Sequence, residues 1–145
     1  MPLLTVEEMR EVISTKILAG AGSGWMKQSV RQISLDSRSI RSGDLFLAIK
    51  GDRFDGHDYV GAALSRGAVG AIVQDSYDVG ALALKPDPKR ALPFILGVRD
   101  PLFAYQQLAT HHRSRFDIPI VAVTGSNGKT TTKEMVAAVM AHRWK

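Results

Sequence analysis

Apolar residues fall along this chain in short blocks whose spacing alternates between helical and extended. Thr5 with Glu8 three positions later is a capping-box pattern, and Val6, Met9, Val12 and Ile13 follow at helical spacing. They predict a first helix that runs to the glycine-rich loop at residues 20–24. Residues 30–35 read as a short strand entering the polar turn Asp36-Ser37-Arg38. Ser42-Gly43-Asp44 is a second turn signal, and residues 45–49 are an apolar run of strand length. A polar loop over 50–57 leads to a helix at 58–66, stopped by Gly67, and to a buried strand at 68–73. Residues 84–92, with Pro86 and Pro88, form a connection, and 93–98 are one more apolar strand.

Asp100-Pro101 starts a helix in which Asp caps and Pro takes the first helical position. That helix continues to Phe116, with Leu102, Tyr105, Leu108 and His112 on one face, and Asp117-Ile118-Pro119 breaks it. Residues 120–123 are continuously apolar, as in a strand buried on both faces inside a parallel sheet. A glycine-containing turn at 125–130 and a helix over 130–142 follow. The order predicts an α/β protein in two parts: a small mixed α/β domain at 1–98, then, at 99–145, the start of a parallel-sheet domain.

Bulk properties narrow the chemistry. With 145 residues, 45% hydrophobic and 23% charged, there is enough apolar material for a real core. The absence of cysteine excludes disulfides, thiolate zinc sites and cysteine nucleophiles. The charge of +5 comes from 19 Lys and Arg against 14 Asp and Glu. These charges are dispersed, with no run of five like charges, which argues against a nucleic-acid arm. Trp25 and Trp144 are isolated and make no stacking platform. His111 and His112, adjacent on a helix, point to different faces and make a poor metal pair. The apolar run at 68–73 falls far short of the ~20 residues of a membrane span. Glu7 and Glu8 stand where a signal peptide would be basic and then apolar, so a cytoplasmic location is expected.

The most informative stretch is Thr124-Gly125-Ser126-Asn127-Gly128-Lys129-Thr130-Thr131-Thr132, between an apolar strand pattern and a helix carrying Met135, Val136, Val139 and Met140. Strand, glycine turn, Lys-Thr and helix form the order a phosphate cradle needs. Glycines let backbone amides approach an anion, and the helix N-terminus adds its positive end. Lys129 would reach the β- and γ-phosphates, and the Thr130 hydroxyl would ligate Mg2+. The full G-x-x-x-x-G-K-[ST] pattern needs glycine at 123, where this chain has Val123. A glycine-rich turn with a surface lysine is the plainer reading; the Lys-Thr pair in this setting argues against it.

Residues 124–132 resemble the shortened phosphate loop of the Mur ligases and of the folylpolyglutamate synthetases related to them. A second block is similar to the UDP-binding front domain of the later Mur ligases: Asp36-Ser37-Arg38, then residues 41–51, Arg53 to Tyr59, and 66–73. Folylpolyglutamate synthetases lack such a domain, so the resemblance, spanning about residues 33–140, is to the Mur ligases. Ser126 and Lys133-Glu134-Met135 look most like the member that adds a dipeptide; the member that adds the third amino acid remains an alternative.

The resemblance implies that Gly125, Ser126, Asn127, Gly128, Lys129, Thr130 and Thr131 bind ATP, with Lys129 catalytic and Thr130 on Mg2+. It implies that Asp36, Ser37 and Arg38, with Asp55, Gly56 and His57, contact the UDP moiety. Asp55 and His57 read equally well as plain turn and cap residues. Leu35 stands where the family usually has a small hydroxyl residue. The implied reaction is ATP-dependent ligation of D-alanyl-D-alanine to a UDP-N-acetylmuramoyl-peptide. The family's further strands, metal carboxylate and amino-acid-binding domain find no counterpart here, so the chain reads as a truncated, inactive fragment. A free-standing UDP-muramyl-peptide binding module is the non-catalytic alternative. A generic ATPase or kinase would leave residues 36–59 unexplained.

Overall fold

The computed structural model describes residues 3–20, 24–82 and 92–143; parts of the expected loop at 20–24 and of the connection at 84–92, and Trp144, lie outside them. The chain enters through β1 (Leu4–Thr5) and α1 (Val6–Val12). The capping box forms as expected: the Thr5 hydroxyl accepts from the Glu8 amide at 3.2 Å, and the Glu8 carboxylate accepts from the Thr5 amide at 2.6 Å. These bonds to Thr5, the backbone one foremost, hold the Glu8 carboxyl below its usual range.

The first helix stops earlier than its apolar spacing suggests. It ends at Val12, and β2 (Lys16–Ala19) occupies residues read as helix. Ile13, Thr15 and Ile17 are β-branched and stiff in a helix, and the free edge of a later strand supplies pairing. The single strand expected at 30–35 is two. β3 (Ser29–Val30) pairs antiparallel with β1, and β4 (Ile33–Ser34) pairs parallel with β5 (Leu45–Leu47).

A 3-10 turn at Gly56–Tyr59 leads into α2 (Val60–Arg66), which ends at Gly67. There φ is 118°, and the Gly67 and Ala68 amides return to the Leu64 and Ala63 carbonyls. β6 (Gly70–Gln74) and β7 (Phe94–Val98) follow. The sheet order is β2-β7-β6-β5-β4, parallel throughout except for the antiparallel edge strand β2. The architecture is thus the expected mixed α/β with a mostly parallel sheet.

Alternation along the central strands builds a core on each face. Leu45, Leu47, Ile72, Phe94, Leu96 and Val98 meet Val6, Met9, Ile13 and α3 (Pro101–Ser114) on one side. Phe46, Ala48, Ala71, Val73 and Ile95 meet Val60, Ala63 and Leu64 of α2 on the other. Trp25 stacks on Phe94 with ring centroids 5.5 Å apart. Gly70 lies so close to β7 that a Cβ would stand 2.5 Å from the Phe94 carbonyl oxygen, which bars any side chain there.

Asp100 caps α3 through the Phe103 amide at 3.0 Å. Its buried face carries Ala104 and Leu108, with Tyr105 and His112 partly covered; Leu102, expected on that face, is exposed. Because α3 is packed on the sheet, the first compact unit runs Met1–Arg115 and the second Phe116–Lys145, a later division than the 98/99 boundary read from the sequence. In the second unit, α4 (Lys129–Met140) forms, but residues 120–123 are irregular. Ile120 and Val121 are 63% and 65% exposed. A doubly buried parallel strand needs neighbours to pair with, and no described strand pairs with this segment. Among the described residues no helix is long and apolar enough to cross a membrane.

Candidate functional site

The carboxyl ends of β4 and β5 open onto a groove of about 750 Å³. In open parallel sheets this is the end at which ligands bind. One wall is the 3-10 turn Ser37–Ser39 that follows β4. Asp36 caps it, Oδ1 accepting from the Arg38 amide at 2.9 Å. The Ser39 hydroxyl donates to the Asp36 carbonyl at 3.0 Å, and the Asp36 amide donates to the Ser34 hydroxyl at 3.3 Å, so the turn is tied at both ends. Ser37 is buried beneath it.

The Arg38 guanidinium returns to the same carboxylate: Nε to Oδ1 and Nη2 to Oδ2, each 3.0 Å. This fork geometry draws the Asp36 carboxyl below its usual range, first through the Arg38 side chain and then through its amide, and raises Arg38. Leu35, Phe46, Phe54, Tyr59 and Ala62 supply apolar lining, and Arg66 stands at the rim. Phe54 is 72% exposed, a ring held open to solvent at a loop tip.

The loop after β5 explains the Asp55-Gly56-His57 sequence physically. Asp55 Oδ1 accepts from the His57 amide at 2.9 Å and from His57 Nδ1 at 2.5 Å. His57 Nε2 accepts from the Gln74 amide at 2.9 Å, which fixes the proton on Nδ1. The ring thereby ties the loop to the end of β6, and the bonds from His57, backbone first, hold the Asp55 carboxyl below its usual range. Gly56 approaches so closely that a Cβ would sit 2.7 Å from the Ile49 nitrogen. Of the residues proposed from the sequence for UDP, Asp36, Ser37, Arg38 and Gly56 line the groove; Asp55 and His57 do not, being bonded to each other and to Gln74. Phe54, Tyr59 and Arg66 line it without having been singled out. The spacing of Tyr59, Ala62 and Arg66 at the start and along α2, three and then four residues, was the available signal.

The second unit carries the glycine loop. Gly125 and Gly128 have φ of 143° and 77°, values that side chains resist, and α4 begins at Lys129. No side chain caps the first turn of α4, and Ser126 to Thr131 are exposed. The first-turn amides therefore point toward solvent without a side-chain acceptor, the arrangement an anion satisfies. Lys129 Nζ donates to the Gly125 carbonyl, closing the loop across its mouth and holding the ammonium over it. These residues fit a polyphosphate. For Mg2+ the fit is narrower: the Thr130 hydroxyl is exposed on the first turn, and no group of three or more His, Asp or Glu among the described residues is arranged around a metal. An ion there would lean on phosphate oxygens and water, as Mg2+ commonly does.

Comparison with known proteins bears on both units. Residues 29–113 match the family described as "Mur ligase family, catalytic domain", and residues 123–145 match "Mur ligase middle domain". A UDP-N-acetylmuramoyl-tripeptide–D-alanyl-D-alanine ligase of Synechocystis sp. is 46% identical over 77% of this chain and 23% of the relative. A UDP-N-acetylmuramoyl-L-alanyl-D-glutamate–2,6-diaminopimelate ligase of Geobacter metallireducens is 36% identical over 95% of this chain and 25% of the relative. Among solved structures, the D-alanyl-D-alanyl ligase of Acinetobacter baumannii superposes with a TM-score of 0.73 at 31% identity, covering 99% of this chain and 29% of that one. The MurF ligase of Thermotoga maritima in complex with ADP gives 0.60 at 34% identity, over 79% and 24%. The chain thus spans about a quarter of the length of these relatives.

Proposed function

The chain belongs to the Mur ligase family, and from that premise we propose that it is the front portion of an ATP-dependent ligase that joins D-alanyl-D-alanine to a UDP-N-acetylmuramoyl-tripeptide in the cytoplasm. Two regions support the reading: a groove at the carboxyl end of the parallel sheet and a glycine loop on a helix N-terminus. The groove is the candidate seat of the UDP end of the substrate, with Asp36, Ser37, Arg38 and Gly56 along its wall. Residues 125–131 are the candidate seat of the ATP phosphates.

In the reaction the family relationship suggests, the terminal carboxylate of the UDP-linked peptide accepts the γ-phosphoryl group, giving an acyl phosphate. The amine of D-alanyl-D-alanine then attacks the acyl carbon, and inorganic phosphate leaves. Such chemistry asks mainly for positioning and charge compensation. Lys129 supplies the fixed positive charge, and the amides after Gly125 supply donors. Mg2+, placed on the Thr130 hydroxyl, would add further neutralisation of phosphate charge.

The dipeptide-adding activity is favoured over addition of the third amino acid by the 46% identity to a relative of the first kind, although a diaminopimelate ligase aligns over more of the chain. We assign this chain substrate binding without turnover; the exposure of the loop, with no described strand pairing with residues 120–123 before it, supports that reading. The test is calorimetric titration with UDP-N-acetylmuramoyl-tripeptide, followed by a phosphate-release assay with ATP and D-alanyl-D-alanine. Saturable binding and no phosphate release are expected. Failure to bind the tripeptide nucleotide would overturn the substrate assignment, and steady phosphate release abolished by Lys129→Ala would overturn the assignment of inactivity.

A further inference from the structure

Three charged side chains face the UDP groove, and they are not equivalent. Arg38 and Asp36 are joined by two parallel bonds of 3.0 Å and together carry no net charge. Asp36 cannot swing away without losing the cap it makes to the Arg38 amide at 2.9 Å. An anion drawn to the Arg38 guanidinium would therefore meet a carboxylate one hydrogen bond away, and most of the attraction would cancel. Arg66 differs. It sits on the last turn of α2, lines the same groove, and makes no hydrogen bond or ion pair among the described residues; its one recorded partner is the more distant field of Asp36. Its five donors are thus free in a site otherwise walled by Leu35, Phe46, Phe54, Tyr59 and Ala62.

We propose that Arg66 is the residue that binds the diphosphate of the nucleotide in this groove, and that the Asp36–Arg38 pair is a positioning device that holds the wall turn in shape. The inference rests on the UDP reading of the groove and refines it: the sequence resemblance points at Arg38, whereas the free guanidinium is that of the last residue of α2, lining the same opening. Its register on α2 has a physical logic. Tyr59, Ala62 and Arg66 fall on one helix face, so the apolar surface under a nucleoside and the cation beyond it are carried by one rigid element. Gly67 ends the helix immediately after Arg66 in the left-handed region, fixing where its last side chain emerges.

The experiment is calorimetric titration of the 145-residue chain with UDP at low and at moderate salt. Arg66→Gln keeps the Cβ–Cδ stem and a polar end and removes the charge at an exposed position, so the thermal unfolding midpoint should be unchanged. Because Arg38→Gln alone would uncover the Asp36 carboxylate, the pair is removed together as D36N with R38Q, and Asn still caps the turn. Arg66→Gln is expected to weaken UDP about tenfold or more and to flatten the salt dependence. The double substitution, which removes the pair that shapes the groove wall, is expected to weaken UDP by less than Arg66→Gln does. The proposal is overturned if Arg66→Gln binds UDP like wild type with its salt dependence intact, or if the double substitution causes the larger loss. If the wild-type chain itself does not bind UDP, the proposal falls together with the substrate assignment; retained UDP binding by Arg66→Gln removes the proposal alone.

Discussion

The two compact units of this chain carry comparable motifs on unequal supports. Over Met1–Arg115 the apolar blocks find partners: among the described residues there are seven strands, five of them in one sheet, three α-helices and a core on each face of that sheet. Over Phe116–Lys145 no described residue is buried. Ile120, Val121, Met135 and Val139 are exposed, and Met135, Val136, Val139 and Met140 form an apolar patch along α4. A glycine loop with two positive-φ turns and an uncapped helix start can be written into thirty residues. A sheet to hold it cannot, since burial on both faces needs neighbours and covering helices. The difference separates what a motif encodes, which is local backbone geometry, from what a fold supplies, which is rigidity.

Substitutions should register that inequality. The largest effect is expected from Phe94→Ala, which empties a fully buried site between Trp25 and the sheet and should cost about 3–5 kcal/mol in urea unfolding. A loss under about 1 kcal/mol would mean that the sheet's inner face is not a packed core. Glu8→Gln, which weakens the capping box, should cost about 0.5–1 kcal/mol at neutral pH. Here the pH dependence has a definite sign. The Glu8 carboxyl is held below its unfolded value, so its contribution is full above that value and is lost as pH falls through the lowered one. Wild type and Glu8→Gln should therefore converge in acid; a gap that persists after protonation would remove the carboxylate from the account. The smallest effect belongs to the second unit: Val139→Ser, at a side chain 74% exposed, should stay within about 0.5 kcal/mol.

Much of the first unit was legible because its signals are local or periodic. Thr5 and Glu8, Gly67, and Asp100 with Pro101 mark helix ends through bonds within a few residues. The runs near 45–49, 68–73 and 93–98 alternate between two buried faces and are strands at positions close to those read. The misses are long-range. β2 exists because β7 offers it an edge, with Lys16 against Gly97 and Ile17 against Leu96. Residues 120–123 have the composition of a strand and no pairing. Asp44 read as a turn former, yet it is wholly buried: Oδ2 accepts from the Arg41 amide at 2.9 Å and from Gln32 at 3.2 Å, and Arg31 approaches Oδ1 at 2.6 Å. Nothing in the turn pattern distinguishes that role.

The groove was legible in part for the same reason. Asp36, Ser37 and Arg38 form one contiguous turn that a motif can carry, whereas Phe54, Tyr59 and Arg66 reach the groove from a loop tip and from α2. His57 shows the reverse case. Its sequence neighbourhood suggested ligand contact, and its two ring nitrogens are both spent on Asp55 and Gln74.

The contrast between the units is tested most directly by amide hydrogen exchange on the free chain, resolved by segment. Amides of β6, β7 and α2 should exchange only through global opening, while those of 129–140 exchange orders of magnitude faster, as expected for a twelve-residue helix with little tertiary support. Equal protection of the two regions would contradict the account, because the phosphate loop would then rest on a packed domain of its own.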